Sequence, residues 1–245
     1  MRRPMVVANW KMYTRASDAY VLATTIRNQV AAIDGVEVVI CPPSVWLSEV
    51  SDIVKKDGKV NVGAQNIFYE EEGPYTGEIS PIMIRDIAKY VLVGHSERRF
   101  HFGESDIDVN EKVIAALKHG LSPIICVGEK SKSAPIGEAV EQLTEALRHI
   151  PKKNYQNCVV AYEPVWAIGG VEAAPVERVV RAIARLREDI GRDSPILYGG
   201  SINNKDVGEF AKSPHIDGVL VGSASLRAGV FIEICKIWAE AKTFK

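Results

Sequence analysis

Residues 157–170 read NCVVAYEPVWAIGG. Asn157 to Tyr162 form a short run suited to a buried strand, and Glu163 follows with no polar spacer. Pro164 then stiffens the backbone, Trp166 adds a large apolar surface, and Gly169-Gly170 restores freedom. A surface loop is normally polar throughout, and a structural acid normally has a basic residue close by. This segment has neither. It places a carboxylate at the end of a strand, followed by a stretch that is stiff at one end and loose at the other.

The same kind of strand recurs along the chain. Runs rich in β-branched residues begin at 6 (VVANW), 36 (VEVVIC), 59 (KVNVGAQ), 90 (YVLVGH), 122 (SPIICVG), 157 (NCVVAYE), 194 (SPILYGG) and 217 (DGVLVGS). Each is apolar on both faces, as parallel strands covered on both sides require. Helical patterns with recognisable ends lie between them. Ser80-Pro81 pairs an N-cap with proline at the first helical position, and Ser105 precedes DIDVNEKVIAALKH, which Gly120 stops. Pro175 opens VERVVRAIARLREDI, which ends at Gly191. Strand and helix alternating eight times in 245 residues predict a single (β/α)8 TIM barrel domain spanning 1–245. A doubly wound open sheet alternates the same elements, so periodicity alone leaves it open.

The ends of the strands separate the two folds. Asn9, Lys11, Gln65, Asn66, His95, Glu129, Glu163, Ser201 and Ser223 each follow a strand-like run. A barrel gathers all its C-terminal strand ends around one mouth, so these dispersed positions converge. An open sheet brings together only those beside its switch point.

Composition narrows the function. A formal net charge of -1 favours neither nucleic acid nor an anionic membrane surface. There is no cationic start followed by an apolar segment, and no apolar run long enough to span a bilayer. Cys41, Cys126, Cys158 and Cys235 are widely spaced, without a CxxC or Cys/His cluster, so neither a disulfide framework nor a zinc site is expected. Cys41, Cys126 and Cys158 lie in apolar runs and read as small buried hydrophobes. A reducing, cytoplasmic setting is expected.

Singly, each strand-end residue has a plain explanation. Lys11 reads as a solvated charge, Asn9 as a turn residue and His95 as a core histidine; Glu97 and Arg98 read as a surface ion pair, worth little. Together, the segments ANWKM (8–12), GHSERR (94–99), AYEPVWAIG (161–169), YGGSI (198–202) and DGVLVG (217–222) closely resemble the triosephosphate isomerase family, across all eight strand ends.

The resemblance implies a proton transfer between adjacent carbons of a triose phosphate through an enediolate, in glycolysis and gluconeogenesis, without metal or organic cofactor. Glu163 would be the base; water makes it a weak one, and desolvation beneath a lid would strengthen it. His95 would polarise the carbonyl as a neutral imidazole at a helix start, Ser96-Glu97-Arg98. Lys11 and Asn9 would stabilise the oxyanion, with Glu97 holding Lys11. Backbone amides of Gly169, Gly170, Ser201, Gly222 and Ser223 would grip the phosphate. The loop GPYTGE (73–78) resembles the family's interdigitating loop and implies a homodimer, in which Thr76 reaches the neighbouring site while Gln65 and Glu78 shape the interface.

Three stretches depart from the family pattern. After Gly169 the lid reads Gly170-Val171-Glu172-Ala173-Ala174, shorter by a residue and without the usual threonine and lysine. The segment EKSKSAPIGEAVEQL lacks the usual Glu-Arg-Glu run, and Ser223 stands where a glycine is usual.

Overall fold

The computed structural model describes residues 2–169 and 173–243. Its strands are β1 (Met5–Asn9), β2 (Glu37–Cys41), β3 (Val60–Ala64), β4 (Tyr90–Val93), β5 (Ser122–Val127), β6 (Val159–Tyr162), β7 (Ile196–Tyr198) and β8 (Gly218–Val221). Each pairs in parallel with the next, and β8 returns to β1, where Met5 faces Gly218. Closure settles the alternative that periodicity left open: this is a TIM barrel, with no open sheet edge.

Residues that alternate along a strand point to opposite faces. Met5, Val7, Val39, Leu92, Ile124, Ala161, Leu197 and Leu220 belong to a small core inside the barrel. Their neighbours Val6, Ala8, Val38, Val91, Val160 and Val219 join a larger outer core. That outer core includes the buried stripes of α1 (Ala16–Val30), α7 (Val176–Ile190) and α9 (Ala228–Thr243). Both faces of each strand are therefore dry, which explains the absence of polar alternation. Cys41 and Cys126 sit in the inner core, Cys158 and Cys235 in the outer one, and all four are free and buried. Burial pushes the Cys158 thiol up to about 12, which makes it chemically quiet.

The helices complete the alternation. They are α2 (Leu47–Val54), α3 (Pro81–Ile84), α4 (Ser96–Phe102), α5 (Asp106–Lys118), α6 (Gly137–Ala146) and α8 (Val207–Ala211). Ser105 caps α5 as expected, in a reciprocal box with Asp108. Ser80 occupies the N-cap of α3, but its hydroxyl makes no cap bond and is buried without a partner. The helix it introduces is a single turn, so proline geometry rather than capping sets its start.

The base of the barrel is closed by a polar cluster. Glu37, at the start of β2, accepts hydrogen bonds from Asn61 Nδ2 (2.9 Å), Lys89 Nζ (2.7 Å) and Tyr90 Oη (2.7 Å). No helix among the described residues is long and apolar enough to cross a membrane.

Candidate active site

The mouth at the C-terminal ends of the strands is built from β1 upward. Asn9 ends that strand, and its side-chain Oδ1 accepts the Lys11 amide at 3.0 Å. This leaves Lys11 at φ +52°, a region that side chains other than glycine seldom occupy. Gln65, just past β3, holds the strained turn from the other side. Its Nε2 donates to the carbonyls of Lys11 and Cys41, both at 2.9 Å. The ammonium of Lys11 is thereby set 2.6 Å from Glu97 Oε1, the pairing expected from the sequence.

His95 follows β4 and is the N-cap of α4. Its Nδ1 accepts the Glu97 backbone N–H at 3.3 Å, so that nitrogen carries no proton and Nε2 is the donor. Glu97 Oε2 is farther away, at 3.6 Å. Nε2 lies 3.1 Å from Glu163 Oε1, although not aligned well enough to leave that oxygen satisfied. The other carboxylate oxygen, Oε2, accepts the Ser96 backbone N–H at 3.0 Å. Glu163 is thus buried with its charge resting on a helix N-terminus, and one oxygen lacks a well-directed donor. Two glycines leave it room: a Cβ on Gly199 would come within 2.9 Å of its Cγ, and one on Gly128 within 1.8 Å of its carbonyl oxygen.

Asn9, Lys11, His95 and Glu163 line one cavity of about 170 Å³, together with Gly169, Ser201, Gly222 and Ser223. The structure therefore unites the four proposed chemical residues with four of the five expected phosphate contacts. The fifth, Gly170, lies outside the described residues. The Ser201 amide is already engaged, donating to the lid carbonyl of Ala167 at 3.0 Å. Ser223 begins a short 3-10 turn, Ser223–Leu226, whose first amides have no carbonyl ahead of them in the turn.

The lid is tied down at both ends. Trp166 Nε1 donates to Glu129 Oε1 at 3.1 Å near its start, and Ala174 N donates to Tyr198 Oη at 2.9 Å near its end. Glu129, grouped with the mouth residues in the sequence reading, is turned away from the cavity and fully buried beneath this hinge. Asn66 is drawn aside too, accepting from Lys112 Nζ at 2.9 Å.

Thr76 and Glu78 lie on an exposed loop. Its neck is closed by Phe68 N donating to Ile79 O (2.8 Å), and Phe68 packs on Tyr75 with ring centres 4.6 Å apart. Gln65, expected at the same interface, is committed within the chain. Sequence reasoning missed the parts played by Gln65, by the Ser96 amide and by Tyr198, all of which depend on contacts between residues far apart in the chain. A larger hollow, about 940 Å³, lies between α4, α5 and α6 and backs onto Ser96 and Val165 without reaching His95 or Glu163.

Comparison with known proteins agrees with this geometry. A family model described as triosephosphate isomerase matches residues 4–238. The triosephosphate isomerase of Dehalococcoides mccartyi (strain CBDB1) is 43% identical, with 96% of each chain covered. That of Thermoanaerobacter pseudethanolicus is also 43% identical, covering 96% of this chain and 99% of the relative. That of Chloroflexus aurantiacus is 42% identical, covering 96% and 98%.

Proposed function

The chain belongs to the triosephosphate isomerase family, and from that premise we propose that it interconverts dihydroxyacetone phosphate and D-glyceraldehyde 3-phosphate through an enediolate, in glycolysis and gluconeogenesis. The observation that carries this reading is the meeting of Glu163 Oε1 and His95 Nε2 at 3.1 Å in a cavity that Lys11 and Asn9 also line. A base, a proton-donating electrophile and a fixed cation then face one small space.

Glu163 takes the proton from one carbon and returns it to the neighbouring carbon. Its under-bonded Oε1 is the oxygen with capacity for that proton. His95, with its proton on Nε2, donates to the substrate's carbonyl oxygen as negative charge develops there. Lys11 adds a positive charge, held in place by Glu97 and the Asn9 and Gln65 struts. The scheme needs no cofactor. Backbone amides of Gly169, Ser201, Gly222 and Ser223, with Gly170 on the ground of sequence alone, grip the phosphate. Engaging the Ser201 amide requires the Ala167 contact to shift. The lid shelters the enediolate, which otherwise loses phosphate to give methylglyoxal.

The protein acts as a homodimer in the cytoplasm. Met12, Val45, Tyr75, Met83 and Phe102 are apolar and exposed on the loops and helices after the first four strands, Tyr75 in the same loop as Thr76. Exposed apolar side chains at the same end of the barrel suit a second copy of the chain. A coupled assay starting from D-glyceraldehyde 3-phosphate in deuterium oxide tests the reading. Turnover with deuterium incorporation, and its loss in His95→Ala, is expected; no turnover by the unaltered protein would overturn it.

A further inference from the structure

The buried carboxylate of Glu129 draws together parts of the chain that border the lid. Tyr162 Oη, from β6, donates to its oxygens at 2.9 and 3.0 Å. Trp166 Nε1, in the first part of the lid, donates at 3.1 Å, and Arg178 Nη2, in the first turn of α7, at 2.8 Å. Among the described residues Arg178 is the cation that pairs with Glu129. The same guanidinium lies 5.0 Å from the centre of the Trp166 ring, and Lys132 Nζ lies 5.7 Å from it. Nη1 of Arg178 also donates to the Lys132 carbonyl at 3.0 Å.

Two features make this more than ordinary surface pairing. A cation in the first turn of a helix opposes the helix dipole, and an acid such as the neighbouring Glu177 is the favourable choice there. Arg178 stands against that preference because a fully buried carboxylate lies within its reach. Its position is also particular. The lid leaves β6 just before Trp166 and re-enters the fold at α7, so one side chain rooted beyond the lid's end touches the side chain at its beginning.

We propose that Arg178 is a positioning residue for the lid, neutralising Glu129 and stacking on Trp166 so that the first hinge is held against the helix at which the lid ends. This rests on the reading of Glu163 as the base and of the lid as the shelter of the enediolate. Arg178 does not line the cavity and touches no reacting atom. Without it, the donors left to Glu129 among the described residues are neutral, Tyr162 and Trp166. An unpaired buried carboxylate either takes up a proton or moves toward water, and each response disturbs the bond that anchors Trp166.

The test compares Arg178→Met, Arg178→Lys and the double variant Glu129→Gln/Arg178→Met. The readouts are kcat/KM and the fraction of turnovers released as methylglyoxal, in which the enediolate's C–O bond breaks and phosphate leaves. Arg178→Met is expected to lose about tenfold in kcat/KM and to gain a similar factor in methylglyoxal fraction. Arg178→Lys keeps the charge but loses the planar fork and the stack, and falls between. The double variant removes both charges, so it folds without an orphaned carboxylate yet still leaks because Trp166 has lost its clamp.

A folded Arg178→Met or double variant that partitions like the unaltered protein would overturn the proposal. If neither charge-deleting variant folds, Arg178→Lys decides alone, and an unaltered methylglyoxal fraction in it counts against the clamp. Failure of the unaltered protein to isomerise sinks the functional reading instead, so the two failures are distinct.

Discussion

The imidazole of His95 and the carboxylate of Glu163 meet at 3.1 Å although they come from β4 and β6, strands separated in the barrel by β5. The contact therefore spans the mouth rather than running along neighbouring strands. It depends on the curvature of the closed sheet, and no local sequence preference supplies it.

If Glu163 is the base, Glu163→Gln keeps the volume and the Ser96 contact but has no basic oxygen to offer. A loss in kcat/KM on the order of a thousandfold is expected, within the usual range for a positioned general base. A loss below about tenfold, or about 1.4 kcal/mol of barrel-mouth stabilisation of the transition state, would remove Glu163 from that role.

Tyr198 Oη receives the Ala174 N–H at 2.9 Å while its ring stacks on Phe210, with ring centres 4.5 Å apart. Tyr198→Phe keeps the stack and leaves the amide unpaired, at a cost of about 1 kcal/mol to this lid position. Hydrogen exchange at Ala174 should quicken and kcat/KM should fall roughly fivefold. Unchanged exchange would show that the hydroxyl does not hold the lid.

Gly128→Ala tests the packing behind the base. A Cβ there would stand 1.8 Å from the Glu163 carbonyl oxygen, a backbone atom that cannot swing aside. Destabilisation of about 3 kcal/mol is expected, together with loss of activity as Glu163 is displaced. A variant with unaltered melting temperature and turnover would contradict this packing.

Glu37 gives a pH prediction. Its burial acts to raise the carboxyl pKa, but hydrogen bonds from Lys89 and Tyr90 outweigh burial and leave it below the ordinary value. The unfolded chain, with a glutamate pKa of about 4.3, then binds the proton first as pH falls. The stabilisation is complete above that pH and is lost as pH drops through the lower, folded value. Glu37→Gln should therefore lower the melting temperature near neutrality and flatten the acid limb, so that the two curves converge in acid. Parallel curves from neutral pH downward would exclude the linkage. Glu104, held below the ordinary range by Lys112 and Arg98 against the opposing effect of burial, leaves some acid slope in the variant.

Much of this architecture was legible from the residues. Asn9, Lys11, His95 and Glu163 each follow an apolar run, and closure of the barrel brings them together as that placement implies. The supports were harder to read. Gln65 has an interface role only by family resemblance, and nothing in the sequence shows that its amide bonds the carbonyls of Lys11, just past β1, and Cys41, at the end of β2. Glu129 looked like a mouth residue because it ends a strand; its partner Arg178 lies 49 positions away and becomes visible only when α7 packs beside β6. Lys11 gave no local sign of a left-handed backbone, since lysine has no preference for one. These are tertiary facts, whereas strand and helix periodicity is local.

The seam between β1 and β8 has a consequence for biosynthesis. Met5 pairs with Gly218, and a Cβ at Gly218 would fall 2.0 Å from the Met5 carbonyl oxygen, so a bare glycine lets the seam close. During synthesis the barrel's first strand must wait for its last before that edge is paired. During that interval the nascent sheet exposes two raw edges to other chains, and such long-range closure is slow. Newly made protein is thus most vulnerable to aggregation before Gly218 emerges, a hazard that the finished barrel, having no edge, no longer shows.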